Sequence, residues 1–365
     1  MPIHDVGYRP WGGEKTPAST RWQTITLTGV RLALKSRWIR RVLFAAWLPV
    51  MYWGVAFFLV EKAIEQSYPQ GEKSLASVLS TELGDSDDLV DELQQQADDL
   101  KGKAAKEAFE RQLSRQLQMF SQTEKVLAAI ESDDPEIIRR DVWRWLLMLF
   151  FRYPQSFLIV FLVGSVAPAL ISRDIQSRAF LLYFSKPIGR MDYILGKMMV
   201  PATFIAGVTT LPALVLFLFA VLMSPGFSVL AATWDIPLRI LASTVVLVIP
   251  TASLALMLSS LTQESRFATF AWFAVWVLGH GAYFAVVIAT AIRLRSEPFS
   301  PEVMASPLVE GGSALSLYNC LGNVQAVIFG MESFGNVWLS ALVLLGVTAF
   351  CWIMLYRRVS SPIRI

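Results

Sequence analysis

The hydrophobic residues of this chain form six long blocks, which are separated by polar stretches of very different lengths. Each block is long enough for a helix that crosses a bilayer, for which about 17–25 apolar residues suffice. One apolar stretch, which starts at Val142, is too long for a single upright span and contains Arg152 and Pro154, so we interpret its first half as an amphipathic segment. The pattern predicts six transmembrane helices, at Leu43–Val60, Gln155–Ile171, Val200–Met223, Leu238–Leu261, Phe267–Ala291 and Val337–Tyr356.

A long polar insert, residues 61–142, separates the first two blocks. Apolar residues recur between Leu93 and Ala104 at alternating spacings of four and three, which is typical of a helical hairpin or a coiled coil. Near the end of the insert, Asp134 is the expected N-cap of another helix, with Pro135 in its first turn. The fold class predicted from the whole pattern is therefore all-α, a polytopic membrane protein with a helical insert between its first and second transmembrane helices.

The charge distribution indicates on which side of the membrane each part lies. The insert holds 19 acidic and 10 basic side chains, whereas the rest of the chain holds 10 acidic and 22 basic ones. Because Lys and Arg concentrate in cytoplasmic loops, we expect an extracytoplasmic insert and cytoplasmic termini. The acids of the insert lack a tight ligand spacing, so a solvated face is a better interpretation than a cation site.

The remaining segments follow from the same pattern. Residues 1–41 are expected to form a cytoplasmic tail and an interfacial helix that leads into the first transmembrane helix at 42–60. Residues 143–365 carry the other five spans, with an external loop at 292–336 that is expected to contain a short helix near Leu315–Phe329.

The loop between the second and third spans, residues 171–197, is the most informative stretch of the sequence. It holds five basic and two acidic residues, which is typical of a cytoplasmic loop. Its interior run Phe180–Phe184 is apolar, although a plain connecting loop needs no such run. We therefore expect a short interfacial helix that ends at Pro187 and presents an apolar side to lipid or to a partner protein.

This segment resembles the cytoplasmic loop of ABC-2 type permeases, the membrane subunits of many bacterial ABC exporters. The family pattern is an acidic residue after the second span, two leucines, Ser-basic-Pro, Arg, and finally Leu-Gly-Lys. The matching residues here are Asp174, Leu181, Leu182, Ser185, Lys186, Pro187, Arg190, Leu195, Gly196 and Lys197. The chain departs from the pattern at Arg178-Ala179, where the family usually has Gly-Thr, and in having Asp instead of Glu at the acidic position.

The resemblance implies a permease subunit of an ABC exporter in a bacterial inner membrane. A separate ATPase subunit would bind ATP and Mg, and a second permease subunit, identical or related, would complete the path through the lipid bilayer. Segment 171–197 would couple the ATPase to the spans. The residues that the resemblance assigns to this coupling are Arg173, Asp174, Arg178, Phe180, Leu181, Leu182, Phe184, Lys186, Pro187 and Arg190.

The sequence lacks the signatures of a catalytic protein. It contains no Walker A sequence for ATP, and the zinc-hydrolase, serine-hydrolase and Cys-x-x-Cys motifs are also missing. We therefore expect no enzyme activity, no bound cofactor or metal, and no nucleic-acid partner for this chain.

Two ionisable residues are candidates for a substrate path: His280 in the fifth span and Arg152 before the second. Alternatively, His280 hydrogen-bonds to a neighbouring helix and Arg152 extends to the outer headgroups. Two further functions stay open. One is a membrane scaffold or sensor that acts through the external insert. The other is an ion- or proton-driven transporter, which is disfavoured because spans three to six hold almost no other ionisable side chain.

Overall fold

The computed structural model describes most of the 365-residue chain, namely residues 20–67, 129, 134–179, 188–224, 228–333 and 335–360. Within these ranges every regular element is a helix. Most of the predicted insert, including the stripe from Leu93 to Ala104, lies outside the described residues, and so does the apolar run Phe180–Phe184 with Pro187.

The helices follow one another with short connections. In chain order they are α1 (Arg21–Leu34), α2 (Arg37–Ser67), α3 (Pro135–Arg152), α4 (Pro154–Val166), α5 (Pro168–Gln176), α6 (Arg190–Val208), α7 (Thr210–Met223), α8 (Ser228–Thr233), α9 (Ile236–Leu261), α10 (Ser265–Leu294), α11 (Pro301–Met304), α12 (Pro307–Gly312), α13 (Leu317–Ile328) and α14 (Val337–Ser360), with a 3-10 turn at Ser313–Leu315 before α13. The short helix expected near Leu315–Phe329 is therefore present as α13.

Six helical stretches of the described chain are long and apolar enough to cross a membrane, in agreement with the six predicted blocks. They are Arg37–Lys62, Phe157–Gln176, Arg190–Met223, Val229–Leu261, Ser265–Leu294 and Val337–Val359. The all-α fold with six spans is thus confirmed. The third stretch begins at Arg190, well before the predicted Val200. Lys197 lies in the first turns of this stretch and forms an ion pair with Asp174 on α5.

The second span is broken in its C-terminal half, where α4 ends and α5 begins at Pro168. Proline has no N–H group, so it cannot continue the hydrogen bonding of the preceding helix. The buried Ser259 of α9 bridges this break: its hydroxyl donates to the Pro168 carbonyl at 2.7 Å and accepts from the N–H groups of Ile171 and Ser172, both at 3.1 Å. A side chain of the fourth span therefore holds α5 in place.

A buried ion pair joins α2 and α3, the two helices that flank the insert. The Arg139 Nε atom on α3 donates to the Glu61 Oε1 atom on α2 at 2.7 Å, and the two side chains are only 1% and 4% exposed. The Ser224 hydroxyl also donates to Glu61, at 2.9 Å. Asp134 caps α3 as predicted, because its side chain accepts from the N–H group of Glu136 at 2.9 Å. The start of α3 is therefore fixed against the end of α2.

Candidate functional site

The predicted coupling segment, 171–197, starts in α5 and ends in α6, and three polar residues hold these helices together. The Lys197 Nζ atom lies 2.7 Å from Asp174 Oδ2 and donates to the Leu170 carbonyl at 2.8 Å. The Tyr193 hydroxyl donates to the same Asp174 oxygen at 2.7 Å. We call Asp174, Tyr193 and Lys197 the base cluster, because it fixes the distance between the two ends of the segment.

The base cluster gives a physical reason for two positions of the sequence pattern. The acidic residue after the second span, Asp174, and the last residue of Leu-Gly-Lys, Lys197, form an ion pair whose side chains are only 15% and 11% exposed. A charge with so little access to water is costly unless it is paired. In this chain, the two pattern positions therefore form a contact between the second and third spans.

The glycine of Leu-Gly-Lys has a separate role, which is to let α1 approach α6. A Cβ atom on Gly196 would lie 2.8 Å from Ile25 Cβ and 2.9 Å from the Trp22 carbonyl oxygen. One turn further along each helix, a Cβ atom on Gly29 would lie 2.6 Å from a methyl group of Val200. All three distances are too short for real Cβ contacts, so these two glycines allow the first helix to pack closely against the third span.

The end of α5 is closed by a Schellman motif. The N–H group of Ala179 donates to the Asp174 carbonyl at 2.9 Å, and that of Arg178 donates to the Ile175 carbonyl at 3.2 Å. Arg178 has a φ of 54°, in the left-handed region that favours glycine. The glycine that the resembling family usually has here meets a backbone requirement. This chain meets the same requirement with an arginine, at a cost of about 1–2 kcal/mol.

Replacing Arg178 by Gly is therefore expected to stabilise the protein by about 0.5–1 kcal/mol, since the relief of backbone strain exceeds the extra entropy of the unfolded chain. The measurement is the unfolding midpoint of the purified protein in detergent. Arg178→Ala is the matched control, because it removes the same charge but keeps a Cβ atom at positive φ. An equal gain in both variants would attribute the effect to the guanidinium group and contradict the backbone explanation.

The structure describes only part of the predicted coupling residues. Arg173, Asp174 and Arg178 lie at the end of α5, and Arg190 begins α6. Residues outside the described ranges are Phe180, Leu181, Leu182, Phe184, Lys186 and Pro187. The structure thus describes the two ends of the segment, 171–179 and 188–197. The role of residues 180–187 stays a prediction.

Arg152, one candidate for a substrate path, is bound to α13, the helix in the loop before the sixth span. Its guanidinium group donates to the Tyr318 carbonyl and to Asn319 Oδ1, both at 2.9 Å, and lies 4.1 Å from the centre of the Tyr318 ring. The Tyr318 hydroxyl in turn donates to the Arg152 carbonyl at 3.1 Å. Burial raises the pKa of the Tyr318 phenol above its usual value, so the hydroxyl group stays protonated at neutral pH. Arg152 therefore anchors α13 to the end of α3, and its role in a path stays a prediction.

His280, the second candidate, lies exposed on α10, and its ring contacts the same tyrosine. The ring centres of His280 and Tyr318 are 5.6 Å apart, and that of Tyr283 is 6.4 Å from His280. The structure thus brings His280 and Arg152 to a common neighbour, Tyr318. Nothing in the sequence marks this tyrosine, because its partners come from two other helices.

Sequence reasoning also missed a polar network that joins α3, α9 and α13. Asp235 accepts from Arg144 Nη2 at 2.6 Å and from Arg239, whose guanidinium group also donates to the Ile328 carbonyl. Arg144 contacts Asp141 as well, at 2.9 Å. One clue was available: Arg239 is a charged residue inside a predicted span, and such residues usually have partners.

The described residues offer no group of three or more His, Cys, Asp or Glu side chains that could hold a metal ion. They do form a cleft of about 790 Å³ beside α1, which extends to the base cluster at Asp174 and Lys197. Open space at this end of the spans therefore lies directly next to the coupling segment.

Comparison with known proteins links these features to a family. The family model described as "ABC-2 family transporter protein" matches residues 29–359, a range that contains the base cluster and all six spans. No curated protein and no solved structure matches the chain.

Proposed function

Because the chain belongs to the ABC-2 family of transporter proteins, we propose that it is the permease subunit of an ABC exporter, driven by a separate ATPase subunit. A multi-pass member of this family is a transport component and not itself an enzyme. The observation that carries the proposal is the base cluster: the Asp174–Lys197 ion pair joins the two ends of the loop to which we assign the contact with the ATPase.

The geometry around this loop is suited to transmitting force. The short helix α5 is separated from α4 at Pro168, and Ser259 ties its first turn to α9. Lys197 ties its end to α6. An ATPase that displaces the loop would therefore act on the second, third and fourth spans together, and it would not merely bend a flexible connection.

The proposed mechanism is alternating access. Closure of the ATPase on ATP and Mg pushes the segment 171–197, and the spans rotate to change the side on which the path is open. A second permease subunit, identical or related, completes the path. Both termini and the segment lie in the cytoplasm, the insert lies outside, and the membrane is the inner membrane of a bacterial cell.

The proposal is tested by measuring ATP hydrolysis by the permease without and with the ATPase. The purified chain alone is expected to hydrolyse no more ATP than a mock purification does, since its sequence contains no Walker A motif. We expect a gene for an ABC ATPase beside the gene of this chain, and co-expression of the two proteins is expected to yield a complex that hydrolyses ATP. The control complex carries an ATPase whose P-loop Lys is replaced by Ala. Hydrolysis by the chain alone, or failure of that ATPase to co-purify, would contradict the proposal.

A further inference from the structure

The cleft of about 790 Å³ beside α1 has a lining of two chemical kinds. One part is apolar and includes Ile25, Leu32, Val166 and Leu170, with Gly29 and other small residues between them. The other part is basic and polar and lies towards the end of α5. A lining of this kind fits an amphipathic occupant, with a hydrocarbon portion and a charged group at one end.

The charged part of the cleft favours an anion. Lys197 and Asp174 also line it, but they pair with each other and contribute no net charge. The remaining charged side chains of the lining are Arg21 on α1 and Arg173 on α5. Among the described residues, no acidic side chain forms an ion pair with Arg173, which lies exposed at the end of its helix. Two guanidinium groups, each with several donors, suit the oxygens of a phosphate group.

The position of the cleft relative to the spans determines where the occupant comes from. Ile39, in the lining, is near the start of the first span, and Leu170 is near the end of the second. Both ends face the side of the membrane that the positive charges assign to the cytoplasm. A smaller depression nearby, of about 440 Å³, is lined by Arg37, Arg40, Arg41 and Phe44. Basic residues at this depth face the anionic headgroups of the cytoplasmic leaflet.

We infer that the cleft binds an anionic phospholipid of this leaflet. Arg21 and Arg173 hold its phosphate group, and an acyl chain lies along Leu32 and Leu170. A soluble phosphate would leave the apolar lining in contact with water, so the hydrocarbon portion is part of the recognition. Because the two arginines belong to different helices, the bound lipid joins α1 to α5, the helix from which the coupling segment leaves the membrane.

The test compares lipids on the purified full-length chain by native mass spectrometry, with equimolar phosphatidylglycerol and phosphatidylcholine in the detergent solution. The wild-type chain is expected to retain phosphatidylglycerol preferentially. Arg173→Gln and Arg21→Gln are each expected to weaken this binding by about tenfold or more, the usual effect of losing a charge-assisted hydrogen bond. Arg31→Gln is the matched control: Arg31 is an exposed arginine on α1 outside the cleft lining, and its loss is expected to leave the affinity unchanged.

Three outcomes would overturn the inference. They are equal retention of both lipids, an equal effect of the Arg31 and Arg173 changes, and full displacement of the lipid by millimolar inorganic phosphate. Unfolding midpoints of all variants are measured alongside, so that misfolding is recognised. Arg173→Lys keeps the positive charge and is expected to retain the lipid preference in part, which gives a second test if the Gln variants are unstable. The lipid measurement needs no ATPase, so its result is independent of the proposed function.

Discussion

Replacing Phe180 and Phe184 together by Ala is expected to release the partner ATPase during co-purification, while the six spans still insert and fold. The proposed function makes the apolar run of the segment the part that the ATPase buries. Truncating an aromatic side chain at the centre of an interface costs about 2–4 kcal/mol. Two such losses are enough to dissociate a complex of moderate affinity. The measurement is the fraction of ATPase that elutes with the permease on size-exclusion chromatography.

Two controls separate this effect from a general loss of surface aromatics or charge. Phe267→Ala with Phe270→Ala removes two exposed aromatic rings, 56% and 75% exposed, from α10 near the same membrane face, and the complex is expected to survive. Lys186→Ala is expected to weaken it only slightly and in a salt-dependent way, because exposed ion pairs contribute about 0–1 kcal/mol. If Lys186→Ala abolished assembly and the double aromatic change were harmless, the segment would be an ordinary basic loop.

Arg139→Met is expected to destabilise the protein by about 3–5 kcal/mol, because it leaves the Glu61 carboxylate buried without its partner. Glu61 is only 4% exposed, and water cannot replace the lost guanidinium group without opening the contact between α2 and α3. The measurement is the unfolding midpoint in detergent, with the fraction of monodisperse protein as a second readout. Replacing both residues, as Glu61→Leu with Arg139→Met, is expected to recover most of the loss, because no buried charge remains.

Lys62, which follows Glu61 on α2, provides a matched control. Lys62 forms an ion pair with Glu65, but these side chains are 53% and 49% exposed. Lys62→Met is therefore expected to cost less than about 1 kcal/mol. Should Arg139→Met cost no more than Lys62→Met, the burial of the Glu61–Arg139 pair would be contradicted.

The sequence predicts those features that depend on local chemistry or on the thickness of a bilayer. Six apolar blocks of sufficient length specify six spans, because a membrane leaves few alternatives to a helix for such segments. The N-cap at Asp134 is predictable for a similar reason, since the capping side chain and the N–H group it satisfies are two residues apart.

Features that depend on distant partners could not be predicted in this way. The helix that contains the third span starts at Arg190, before the apolar block begins, and its Lys197 forms an ion pair with Asp174 across the loop. Arg152 donates to a backbone carbonyl at Tyr318, and a carbonyl acceptor leaves no trace in the sequence. The positive φ at Arg178 has no sign in the arginine itself, and its only trace in the sequence is the departure from the glycine that the family usually has there.

The bridge from Ser259 to the broken second span has a consequence for hydrogen exchange. The N–H groups of Ile171 and Ser172 are bonded to a side chain of another helix. Their exchange with solvent deuterium therefore requires α5 to separate from α9, even if α5 itself remains helical. Protection at these two amides reports how often the contact between the second and fourth spans opens, so it offers a local probe of span movement that needs no attached label.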